Sequence, residues 1–173
     1  MVVETVIQEF RKTKQLADRA IAQLSDDQLH ARLDAEANSV AMLMAHMAGN
    51  MRSRWTDFLT TDGEKPWRTR DAEFEPPPLS RADLAAAWEA GWQVLFDTLA
   101  GLTDDDLTRP IMIRGEAQTA LAAMLRQVSH YAGHAHQIVL LAKHLKGAEW
   151  TVLSIPRGGS AAYTAASHAA GRP

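Results

Sequence analysis

The chain contains no cysteine, so disulfides, zinc ribbons, iron–sulfur clusters and a cysteine nucleophile are all excluded. Any metal it binds must be held by nitrogen and oxygen. No apolar run reaches the roughly 18 residues of a membrane-spanning helix. The opening stretch, MVVETVIQEFRKTKQ, carries acids and an amphipathic rhythm where a signal peptide would be continuously apolar. A cytoplasmic location without membrane contact is therefore the expectation. Lysines and arginines are scattered among acids and form no basic stripe of the kind that contacts a phosphate backbone, so nucleic acid is not an expected partner. HExxH, GxSxG and GxxxxGK[ST] are missing, and no long helix carries ExxH, which leaves the common zinc proteases, serine hydrolases, P-loop enzymes and di-iron bundles without support.

What is present fits one globular domain: 173 residues, 46% hydrophobic and 23% charged, with a formal net charge of -3. Val2, Val3, Val6, Ile7, Phe10, Ala17, Ile21 and Leu24 recur at helical spacing and predict a first helix over about 2–24. SDDQ from Ser25 has the form of a capping box and a short helical turn. A second helix starts at Asn38 or Ser39 and runs to about Thr60. The stretch from Thr61 to Leu79, with Pro66 and the run Pro76, Pro77, Pro78, cannot continue it and reads as a long connection. Ser80 with Asp83 caps a third helix to about Leu99, closed by Gly101. The fragment Ile111–Ile113 reads as a short strand or an extended lead-in to a fourth helix, from about Gln118 to Leu145 and ending at Gly147. The expected division is a helical domain over 1–155 and a tail over 156–173 that wraps or frays.

Three of the seven histidines fall within HYAGHAH on the fourth helix. His130 and His134 are four apart, so their side chains lie about 40° from each other on the helix and can point at one ion. His136 lies about 200° round from His134 and cannot join them. On its own an i, i+4 pair is more often two edge residues than a metal site. The second helix adds a polar strip, His46, Asn50, Ser53 and Asp57, beside an apolar face. If that helix neighbours the fourth, His46 completes a set of three histidines with open positions for water or substrate. His30, His144 and His168 read as exposed. In the connection, KPWRTRDAEF gathers Trp67, Arg68, Arg70, Asp71 and Phe74. They read either as a lid whose arginines meet an anionic group, or as an anchor in which Trp67 and Phe74 pin the loop while Arg70 pairs with Asp71.

NSVAMLMAHMAGNMRSRWTDFLTTDGEKPWRTRDAEFE, then HYAGHAHQIVLLAKHLKG, then TVLSIPRG resembles the DinB-like superfamily over about residues 2–160. The order is specific, with one histidine in the second helix and HxxxH in the fourth. The resemblance implies an all-α four-helix bundle with a long crossover between the second and third helices, often a homodimer. It also implies a divalent metal, zinc or nickel, on His46, His130 and His134. Relatives often carry Gly where this chain has His136, while Gln137 keeps its place. Superfamily members include transferases that use low-molecular-weight thiols such as bacillithiol or mycothiol, and proteins described as metal-dependent hydrolases. The expected function is thus a metal-dependent small-molecule enzyme, a thiol S-transferase or a hydrolase. Asn50, Asp57, Trp67, Arg70 and Gln137 are candidate pocket-lining residues. The alternative is a non-catalytic, metal-stabilised binding or stress-related protein.

Overall fold

The computed structural model describes residues 1–169. Its order is α1 (Val2–Ile21), α2 (Asp26–His30), α3 (Val40–Trp55), α4 (Arg81–Ala100), β1 (Pro110–Ile113), β2 (Glu116–Thr119), α5 (Ala120–Lys146) and α6 (Ser160–Ala169). The result is a predominantly helical bundle, the general architecture that the DinB-like resemblance implies. α3 lies along α4 and α1 along α5, and α3 also meets α5. That last contact brings the polar strip of the second predicted helix to the histidine pair of the fourth.

The periodicities explain the elements. In α1, Val3, Val6, Ile7, Phe10, Ala17 and Ala20 are buried, at the spacings that put them on one stripe. Ser25 and Gln28 exchange both capping-box bonds at the start of α2, and Ser80 with Asp83 does the same for α4, each cap contributing about 1 kcal/mol. At the centre Phe10 meets Trp55 at 5.7 Å, Trp92 at 6.4 Å and Tyr131 at 5.7 Å between ring centroids. One aromatic from each of four helices thus locks the bundle. Gly91 lets α4 approach α3 closely, because a Cβ there would lie 3.0 Å from the Cα of Ala48.

Three boundaries differ from those expected. α1 ends at Ile21, not Leu24. α3 stops at Trp55, about one turn early, because the chain after it folds back: Ser53 Oγ donates to the Gly63 carbonyl at 2.7 Å, and Gly63 N–H to that of Met112 at 2.9 Å. Asp57 adopts the left-handed region at φ 51, a conformation Asp tolerates better than most residues. The extended fragment is one strand of an antiparallel hairpin, Ile111 opposite Gln118 and Ile113 opposite Glu116. Its turn is Arg114-Gly115, both at positive φ (56 and 75), as a tight two-residue hairpin turn requires. The fourth predicted helix therefore begins at Ala120, two residues late. Near the C-terminus, Thr151 exchanges bonds with the Gln23 side chain, and Arg19 donates to the Leu153 carbonyl, holding that stretch against α1. Within the tail expected from 156, α6 has no buried residue, and 170–173 lie outside the described residues. Among the described residues no helix is long and apolar enough to cross a membrane.

Candidate metal centre

His46 and Asn50, one turn apart on α3, face His130 and His134, one turn apart on α5. The connection between α3 and α4 reaches back over them with a single 3-10 turn, Asp71–Phe74, which supplies Glu73 and Phe74. Phe74 lies against the His46 ring at 4.5 Å, so His46 is only 3% exposed. Gly49 makes room for the turn: a Cβ there would run into the Glu73 carboxylate.

The three imidazoles converge. His130 Nε2 lies 3.4 Å from His46 Nε2 and 3.0 Å from His134 Nε2, and one nitrogen from each ring falls within 4.8 Å of the others. Each outer nitrogen faces an acceptor. His46 Nδ1 donates to Glu73 Oε2 at 2.9 Å, His130 Nδ1 to Gln127 Oε1 at 3.3 Å and His134 Nδ1 to Gln137 Oε1 at 2.8 Å. With the proton on Nδ1 in all three, three Nε2 lone pairs point at one another and can be shared by a cation between them. The two short spacings, both to His130, fit one. Two nitrogens bound at about 2.0–2.1 Å to the same ion stand about 3 Å apart at a right angle and about 3.4 Å apart at the tetrahedral angle. The donor set therefore suits a divalent metal, and among the described residues the cluster comprises these three side chains alone.

The electrostatics keep the set in its ligating form. Burial, then the neighbouring His134 and His46, lowers His130 to about 3, with Arg68 and Arg54 adding to the effect. Burial also lowers His134. Both rings are thus neutral near pH 7. Burial alone would raise the Glu73 carboxyl, but its hydrogen bonds from Arg68 and His46 outweigh that and hold it below the ordinary range. Arg68 grips Glu73 with Nε at 2.8 Å and Nη2 at 2.7 Å, so an arginine, a carboxylate and a histidine run in series towards the centre.

The histidines open on a cavity of about 270 Å³ that Asn50, Arg68, Arg70 and Phe74 also line. Asn50 is fixed by Tyr131, whose hydroxyl donates to Oδ1 at 2.9 Å and accepts from Trp55 Nε1 at 3.2 Å. Of the residues expected around the pocket, Asn50 and Arg70 line it and three do not. Asp57 is exposed beyond the early end of α3. Trp67 is half exposed and faces the Arg52 guanidinium at 5.4 Å. Gln137 sits behind His134 and holds its outer nitrogen. His136 is exposed and donates to the Ala132 carbonyl; His30, His144 and His168 are exposed as well.

Sequence reasoning missed Glu73, Gln127 and Arg54. The glutamines had a signal, standing three residues before and three after the HxxxH pair, which puts each within reach of its own histidine on a helix. Glu73 had none beyond lying five residues after Arg68.

The model of the family described as "Protein of unknown function (DUF1572)" matches residues 1–159, and the chain belongs to that family. No curated protein matches it.

Proposed function

We propose that this DUF1572-family protein is a metal-dependent small-molecule enzyme, of the thiol S-transferase or hydrolase type, working at His46, His130 and His134. One observation carries the reading: three histidines with their outer nitrogens tied off converge at the wall of a substrate-sized cavity, without a fourth protein ligand among the described residues. Catalytic centres of this kind keep a position open, whereas structural ones are closed. A divalent ion there, zinc or nickel by donor type, would act as a Lewis acid and lower the pKa of a coordinated water or thiol towards neutrality.

The protein's own part is positioning. Glu73, Gln127 and Gln137 orient the three rings. Phe74 covers His46 and keeps water from its side of the centre. Asn50, its Oδ1 occupied by Tyr131, turns its amide N–H groups to the cavity as donors to a substrate oxygen. All these residues belong to 1–155, which we take as the working domain, with 156–173 as an appendage. A homodimer is part of the proposal; Trp55, Trp88 and Trp92 are buried in the bundle and so offer nothing to its interface. A mass of one chain by light scattering at micromolar concentration would count against the dimer.

The enzymatic reading is tested by loading untagged protein with zinc or nickel and assaying thiol transfer with several low-molecular-weight thiols, alongside hydrolysis of small esters and amides. Turnover that chelator abolishes and His134→Ala lacks is expected. A correctly loaded protein with no turnover in either series would favour the non-catalytic, metal-stabilised alternative.

A further inference from the structure

Arginine dominates the rest of the cavity wall. Arg54 comes from α3, Arg68 and Arg70 from the long connection, Arg114 from the hairpin turn and Arg126 from α5, and all five line the cavity that the histidines open on. Two carboxylates answer them. Glu64 accepts from Arg54 Nη2 at 3.2 Å and Arg114 Nε at 2.9 Å, and stands 3.8 Å from Arg68 Nη1. Glu73 is taken by Arg68 and His46. Arg70 and Arg126 pair with neither acid; Arg70 lies over the Phe74 ring at 5.1 Å.

The two inner arginines are unusual. The side chains of Arg54 and Arg68 are 5% and 2% exposed, and Nη1 of each is buried without a hydrogen-bond partner among the described residues. A buried guanidinium normally has its donors satisfied, because leaving one unpaired carries its full desolvation penalty. Structural ion pairing explains the bonds these arginines make to Glu64 and Glu73. It does not explain Arg70 and Arg126, which line the same cavity and bond to neither acid, beside a donor set that can itself hold a divalent cation.

We propose that this arginine wall is the recognition subsite for a compact oxyanion of the substrate, a phosphate or a pair of carboxylates. The buried Arg54 and Arg68 form its floor and Arg70, Arg114 and Arg126 its rim. Planar guanidinium forks match the oxygens of either group. The subsite fixes the anionic end of the molecule and presents its reactive end to the three histidines. The substrate is thus a small anionic metabolite, and a neutral ester or amide is a poor one. This assignment rests on the enzymatic reading above for its purpose, but its binding claim stands separately.

The test uses full-length protein stripped of metal by chelator, at pH 7.5 and low salt, titrated calorimetrically with inorganic phosphate, with a short dicarboxylate such as malonate, and with a neutral diamide of similar size. Saturable binding of one anion per chain is expected for phosphate or the dicarboxylate, the stronger of the two naming the source, with none for the diamide. The variant Arg70→Gln/Arg126→Gln removes only exposed rim side chains that form no ion pair among the described residues, so it should fold as wild type. Its anion affinity should fall about tenfold or more, since charge-assisted hydrogen bonds are lost, while zinc affinity stays within about twofold. No saturable anion binding in the millimolar range, or unchanged affinity in the double variant, overturns the proposal. Anion binding that persists in a protein devoid of turnover would leave the subsite standing and refute the enzymatic reading alone.

Discussion

Replacing Glu73 by Gln keeps the size of the side chain and removes only its charge, and the structure assigns two separable consequences. The first is at the centre. Glu73 Oε2 accepts the His46 Nδ1 proton at 2.9 Å, and losing such an outer carboxylate partner typically weakens metal binding by about 10–100-fold, or about 1.4–2.8 kcal/mol. The second is in the connection. Arg68, its side chain 2% exposed, loses a two-bonded carboxylate, and breaking a buried pair from one side costs about 3–5 kcal/mol. Glu64 at 3.8 Å offsets part of that, so the lower end of the range is expected. The pH dependence separates the two consequences. The folded carboxyl titrates below its ordinary 4.5, so the pair's contribution is whole above that pH and is lost as pH falls through the depressed value. The stability gap between metal-free wild type and Glu73→Gln should therefore be full near pH 7 and narrow as pH falls through that depressed value. Zinc affinity would be read by competition with a chromophoric chelator, and stability by urea unfolding of the metal-free proteins across pH. A variant that binds zinc as tightly as wild type would refute the assignment of Glu73 as the orienting partner of His46. A gap independent of pH would refute the charge-pair argument.

Three further outcomes follow from particular contacts. Gly49→Ala places a methyl group against the Glu73 carboxylate and should weaken zinc binding much as Glu73→Gln does while leaving helix content by circular dichroism unchanged; unaltered affinity would mean that the 3-10 turn is free to move aside. Tyr131→Phe strands the Trp55 indole N–H and the Asn50 carbonyl in the core, and should lower unfolding free energy by about 1–3 kcal/mol in urea titrations. Asp104 is lowered to about 2 by the amino terminus, with the N–H groups of Val3 and Val2 adding to the effect. Its contribution is thus complete above the ordinary value of 3.8 and is lost as pH falls through about 2, so Asp104→Asn should lower the melting temperature at pH 6 and matter much less at pH 2.

Much of the site was legible because helical geometry is rigid. A spacing of four put His130 and His134 on one face of α5, and a spacing of two from His134 set His136 on the opposite one. The same reasoning failed at the end of α3, where tertiary contacts override periodicity. Ser53 is drawn into a bond with Gly63, the helix stops at Trp55, and Asp57 leaves the strip that His46 and Asn50 keep. The hairpin escaped because Arg114-Gly115 is a weaker turn signal than Asn-Gly, and because Glu116–Thr119 lacks the β-branched run of its partner strand. Glu73, Arg68 and Arg54 meet through a connection with one short 3-10 turn, whose path is set by what it packs on. No periodicity encodes such a meeting, so although the connection's arginines read as one of two possibilities from the sequence, their convergence with Arg54, Arg114 and Arg126 appears only in three dimensions.

The central claim is that His46, His130 and His134 hold one divalent ion. Elemental analysis of untagged protein, expressed with zinc and nickel available and dialysed exhaustively, tests it in one step against His46→Ala and His134→Ala. About one ion per wild-type chain, falling to a small fraction in both variants while their folds persist, is the predicted result. Equal metal content in all three proteins would contradict it.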